Sequence, residues 1–193
     1  MGHADALERA ARFLRRKQDA ERVVYLGADE SLDQLVQRWA EQLVGEDASE
    51  AALCRRATER TAHASSEEID EYLAREAERS RLRMYESLPG EATRGVELLA
   101  GKVAVMIYDK AYLEEEDILP ATLLLFGKSD EPLVKRIGRR WFLSPGSFPR
   151  GGVMLLEDHE GAVDVTIYSG ALEELSQERV ELAREMNLRV AGG

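Results

Sequence analysis

Residues Leu123 to Gly152 read LLLFGKSDEPLVKRIGRRWFLSPGSFPRGG, and this stretch decides the fold. The apolar run Leu123 to Phe126 stops at Gly127, the pattern of a short strand buried on both faces that ends in a loop. The polar residues Lys128, Ser129 and Asp130 follow. Leu133 to Ile137 and Trp141 to Leu143 then read as short strands turning about Gly138. Ser144-Pro145-Gly146-Ser147 closes the unit with loop-forming residues.

Outward from this stretch the second half stays strand-rich. Lys102 to Tyr108 (KVAVMIY) and Ala121 to Phe126 read as strands, and Val153 to Leu156 pairs with Val163 to Tyr168 across the Glu160-Gly161 turn. A final helix is expected over Leu172 to Met186. The first half reads as helix (Ala4 to Lys17), strand (Arg22 to Gly27), and a helix from Ser31, taken as its cap, through Val44. Between residues 46 and 90 the composition turns charged and helical. One helix spans Ala48 to Thr61, and a second is opened by Ser65 with Glu68 at capping-box spacing and runs to Leu88, before Pro89-Gly90. Its Arg75, Glu76, Glu78, Arg79, Arg81 and Arg83 read as a solvated face. The acidic run Glu114 to Asp117 reads as the cap of a short helix leading to Pro120.

The 193 residues are 44% hydrophobic, enough to bury a sizeable core, and the expectation is one α/β domain over 1–193 with 46–90 as a charged helical insertion. The net charge of −11 argues against nucleic-acid and anionic-membrane partners, because affinity for phosphates depends on neutralising cations. The single cysteine, Cys54, excludes an intramolecular disulfide and reads as a small core residue; with no apolar run of spanning length, a soluble cytoplasmic protein is expected.

In outline the opening stretch resembles the C-terminal metal-binding unit of calcineurin-like metallophosphoesterases, of the small bacterial and archaeal phosphodiesterase branch. That resemblance implies a two-sheet sandwich flanked by helices (α/β/β/α), with five ligand motifs around a two-metal centre. Where the family has Gly-His-x-His, this chain has Gly127-Lys128-Ser129-Asp130. Where a strand ends in His-Gly, it has Tyr108-Asp109. Where a strand ends in Gly-Asp, it has Gly27-Ala28, with Asp29 one residue late and read as a turn or cap residue. The first motif puts Met1 at a His position and His3 at an Asn position, and the first strand is expected to be missing. The motif Gly-Asn-His has no counterpart; His63 lies in that region and reads as exposed, and His159 lies in a hairpin turn.

The resemblance thus implies the scaffold without the metal ligands, and no cofactor is expected. Asp29, Tyr108, Asp109, Lys128, Ser129, Asp130, Ser144 and Ser147 form the vestigial site, with Lys128 expected to pair with Asp109 or Asp130 in place of metals. Three function classes stay open. They are a non-catalytic protein-interaction or scaffold and regulatory module, a binding module that holds a nucleotide or other phosphate-bearing ligand through Lys128, Ser129 and the Ser144 to Ser147 loop, and a residual metal-dependent phosphoesterase. A missing first strand would leave a sheet edge open to self-association or a strand-donating partner.

Overall fold

The computed structural model describes residues 3–147 and 152–182, which fall into two compact units, one of 1–25 with 29–89 and one of 26–28 with 90–193. The fold is mixed α/β, as expected. Among the described residues no helix is long and apolar enough to cross a membrane.

The first unit contains α1 (His3–Lys17), β1 (Val23–Tyr25), α2 (Ser31–Val44), α3 (Leu53–Thr61), α4 (Ser66–Arg81) and β2 (Tyr85–Ser87). Leu32, Leu35, Trp39 and Ala40 of α2 meet Ala11, Val23, Leu82 and Tyr85 in its core. Trp39 and Tyr85 pack edge to face with ring centroids 5.4 Å apart, the geometry that aligns a ring's positive edge with its neighbour's negative face. The capping box at α4 is present: Ser65 Oγ accepts from Glu68 N at 3.3 Å, and Glu68 Oε2 accepts from Ser65 N at 2.8 Å.

Two expectations fail in this unit. The helix read through to Leu88 stops at Arg81, and Tyr85–Ser87 instead forms a strand parallel to Val23–Tyr25. Pairing with β1 and burial of Tyr85 against Trp39 outweigh the helical pattern. The charged face is also not wholly solvated. Glu76 and Arg79 are 8% exposed and Arg56 of α3 is 5% exposed. Glu76 Oε1 accepts from Arg56 Nε at 2.8 Å and Glu76 Oε2 from Arg79 Nε at 2.6 Å. Arg56 also donates to the carbonyls of Asp47 and Ser49, so its fork is satisfied on both sides. Burial acts to raise the pKa of Glu76, but the hydrogen bonds and charges of Arg56 and Arg79 outweigh it and hold the carboxyl below its ordinary value.

The second unit carries a five-stranded sheet in the order β3-β4-β5-β7-β6 and a three-stranded sheet in the order β10-β9-β8. The larger sheet is built from β3 (Arg94–Leu99), β4 (Lys102–Ile107), β5 (Leu123–Phe126), β6 (Leu133–Ile137) and β7 (Arg140–Ser144), with the short helix α5 (Glu115–Ile118) between β4 and β5. β5 pairs in parallel with β4 and with β7, while β3 and β6 are antiparallel edges. All four residues of β5 are buried, as a central parallel strand requires. The smaller sheet holds β8 (Val153–His159), β9 (Ala162–Tyr168) and β10 (Glu174–Glu181).

β3 was not anticipated, and β10 replaces the helix expected over Leu172 to Met186. Leu172 sits in the left-handed backbone region at φ +65°, a turn rather than a helix start. Val180 and Leu182, two residues apart, are both buried, which is the period of a strand. Residue 183 onward, including Met186, lies outside the described residues, as do Met1 and the side chain of His3.

Candidate functional site

The candidate site forms where β4 and β5 end side by side. Their parallel pairing places Ile107 opposite Phe126. It is extended by Gly127 N donating to Ile107 O at 3.1 Å and Lys128 N donating to Tyr108 O at 2.8 Å. Gly127 is required there: a Cβ would lie 2.0 Å from the Leu26 carbonyl oxygen, which no side chain tolerates. Leu26 to Ala28 therefore pass directly over the strand end, tied further by Gly90 N donating to Ala28 O at 2.9 Å.

This geometry delivers the expected ion pair. Lys128 Nζ donates to Asp109 Oδ2 at 2.6 Å, with side chains 53% and 13% exposed respectively. Asp109 Oδ1 accepts from Ala111 N at 3.0 Å, so one carboxylate binds the ammonium and caps the following turn. The Lys128 hydrogen bond, with a smaller contribution from the Ala111 amide, holds Asp109 below the ordinary aspartate range. The same hydrogen bond and charge raise Lys128 above the ordinary lysine value. Tyr108 is half-buried, with its ring centroid 6.0 Å from Lys128 Nζ, at the outer limit of a cation–π contact.

Three neighbours went unnoticed in the sequence. Lys110 Nζ stands 4.5 Å from the Phe126 ring centroid. Tyr112 Oη donates to Glu91 Oε2 at 2.9 Å, and this bond, together with the glutamate charge, raises the tyrosine pKa. Glu91 O in turn accepts from Asp109 N at 3.3 Å. These residues sit in loops and a single 3₁₀ turn, where no periodicity marks them.

The remaining expected site residues do other work. Ser129 Oγ donates to Glu131 O at 2.7 Å and Ser147 Oγ donates to Asp130 O at 3.2 Å. Ser144 is fully buried, its Oγ accepting from Gly146 N at 3.2 Å. Gly146 lies at φ +75°, and a Cβ there would come within 2.6 Å of Pro132 N. Ser147 thus ties the loop after β7 to the loop after β5, while Ser129 and Ser144 each brace their own turn. Asp130 forms no ion pair with Lys128 among the described residues. Asp29 belongs to the first unit, where its Oδ1 accepts from Ser31 N at 2.9 Å ahead of α2. Ser31 is therefore the first residue of that helix and not its cap, a place taken by Glu30 without a side-chain bond.

His159 closes β8, with Nε2 3.0 Å from Asp164 Oδ2. His63 is exposed and lines an open cleft of about 580 Å³ in the first unit, together with Glu59, Arg60, Glu68, Glu71 and Arg75. Cys54 is exposed, not a core residue. Among the described residues no three His, Cys, Asp or Glu side chains converge as a metal site.

No protein-family model matches the chain, and no curated protein matches it. Solved structures do. Vps29 from Entamoeba histolytica, complexed with zinc, is 18% identical, covering 69% of this chain and 89% of its own, at a TM-score of 0.37. A predicted phosphoesterase from Streptococcus pneumoniae is 14% identical over 52% of this chain and 72% of its own, at 0.40. An archaeal phosphodiesterase is 10% identical over 93% of both chains, at 0.39. Two of these three neighbours are named as phosphoesterases. At these overlaps the likeness is loose and says nothing about the chemistry of this chain.

The residues at the strand ends do not fit a two-metal centre. Such a centre needs several imidazoles and carboxylates converging on borderline divalent cations. Here the buried carboxylate Asp109 is already neutralised by an ammonium 2.6 Å away.

Proposed function

We propose that the unit built on the five-stranded sheet is a non-catalytic metallophosphoesterase-like domain acting as a protein-interaction or scaffold and regulatory module. The observation that carries this reading is the Lys128–Asp109 pair at the joined ends of β4 and β5. A fixed ammonium there repels a divalent cation, and the buried carboxylate beside it, Asp109, is committed to it and to the Ala111 amide. The serine hydroxyls that would have served a phosphate-bearing ligand are hydrogen-bonded to loop carbonyls or to a loop amide, which supports the interaction reading over a nucleotide site.

The test is metal analysis of the purified chain together with a Mn²⁺-dependent phosphodiesterase assay on a chromogenic diester. Metal at trace level and no turnover are expected. About one equivalent of metal per chain with turnover would replace the proposal by a working hydrolase. A melting shift of several degrees with one member of a nucleotide panel would replace it by a ligand-binding module, since a ligand that binds only the native state raises its stability.

A further inference from the structure

The five-stranded sheet ends on β6, and this edge carries a charge opposite to that of the whole chain. Between Pro132 and Ser147 there are four cations, Lys135, Arg136, Arg139 and Arg140, and no carboxylate, in a chain of net charge −11. Among the described residues none of the four forms an ion pair. Arg136 donates to Gly138 O at 3.2 Å, Arg139 to Leu119 O at 3.4 Å and Arg140 to Ile118 O at 2.9 Å, all neutral acceptors. Lys135, Arg136 and Arg139 are exposed, and Ile137 is 54% exposed between them. Leu119, beside Arg139, is 56% exposed. Among the described residues β6 pairs with β7 alone, so along an antiparallel ladder every other residue of β6 turns its N–H and C=O away from β7.

We propose that β6 is a docking edge for an extended acidic segment of a partner protein, which adds to the sheet as a further strand. The main-chain groups of β6 supply hydrogen bonds. Lys135 and Ile137 on one face and Arg136 on the other set the preference for a segment that carries carboxylates on both of its faces, with an apolar side chain two residues along. The surrounding negative charge repels acidic proteins in general and leaves this edge as the place where one is attracted, so charge fixes where the partner lands. A nucleic acid would meet the same cations, but it has no use for an open strand edge or for exposed Ile137 and Leu119. This inference deepens the interaction-module reading and rests on it.

The probe is a fluorescein-labelled glutamate–valine peptide of Glu-Glu-Val-Val repeats, which puts both residue types on each face of a strand, titrated with the full chain by anisotropy at low and high salt. The comparison ligands are a lysine–valine peptide, the glutamate–valine peptide N-methylated at alternate residues, and an oligothymidylate. Saturable binding of the glutamate–valine peptide that weakens with salt is expected. Lys135→Glu with Arg136→Glu should weaken it at least about tenfold while far-UV circular dichroism and the melting midpoint hold. The N-methylated peptide, which cannot pair with a strand edge, should bind far more weakly to the unaltered chain, and this arm stands even where the double variant misfolds. Equal binding of the N-methylated peptide, tighter binding of the oligothymidylate, or no peptide binding overturns the docking edge. Turnover in the Mn²⁺ assay alongside normal peptide binding overturns only the non-catalytic reading. Absence of both turnover and peptide binding overturns only the docking edge.

Discussion

Asp109 serves two partners through different oxygens, and that allows its charge to be separated from its hydrogen bonding. Asp109→Asn keeps an acceptor for the Ala111 amide and removes the charge that holds Lys128, whereas Asp109→Ala removes both. Because Asp109 titrates below its unfolded value, its contribution to stability is complete above about pH 4 and is lost as pH falls through the depressed value. Lys128 titrates above its unfolded value, so its contribution is complete below about pH 10 and is lost as pH rises through the raised value. Thermal melts across this range should show Asp109→Asn with a lower midpoint and a flatter acid limb than the unaltered chain, and Asp109→Ala lower still. An unchanged acid limb in Asp109→Asn would show that the pair is idle. The pair was legible in the sequence because Gly127 and Tyr108 mark two strand ends, and parallel neighbours bring such ends together. Glu91, Lys110 and Tyr112 were not, because loop residues carry no period from which a direction can be read.

At the level of elements, the buried parallel strands were the easiest to read and the exposed edges the hardest. β5 announces itself as four consecutive apolar residues, while β3 presents Val96 and Leu98 at more than 60% exposure and so lacks an inner face to recognise. β10 was misread because Leu175 and its glutamates favour a helix locally, and pairing with β9 overrides that preference. The substitution Val180→Ala distinguishes the two arrangements. Alanine is the better helix former, so a helix would gain; in β10, where Val180 is fully buried opposite Val163, the change should cost about 2 kcal/mol in chemical denaturation.

Over the whole molecule, the α/β class was readable from the order of elements, but which charges of the segment 46–90 are buried was not, because a buried arginine or glutamate carries the same sequence signature as a solvated one. In the structure its Arg56, Glu76 and Arg79 join α3 to α4 inside the first unit. Glu76→Gln leaves the buried Arg56 guanidinium without a counter-charge and Arg79 with Glu50 alone, and should destabilise that unit by about 3 kcal/mol, whereas Arg75→Ala, which breaks an exposed pair, should cost no more than about 0.5 kcal/mol. The loss from Glu76→Gln should grow toward neutral pH from acid, since the carboxylate it removes is held below its ordinary pKa.

The two tryptophans of the chain make that loss visible where it occurs. Trp39 is packed in the core of the first unit against Tyr85, and Trp141 lies in β7 of the second, with its indole N–H donating to Glu181 O at 3.4 Å. Single-tryptophan variants, Trp39→Phe and Trp141→Phe, therefore yield emission from one unit at a time. Glu76→Gln is expected to shift the unfolding curve seen through Trp39 and to leave the one seen through Trp141 in place. Equal shifts in both curves would mean that the units melt together. The chain carries its own pair of fluorescent reporters, one for each half, with no label to be added.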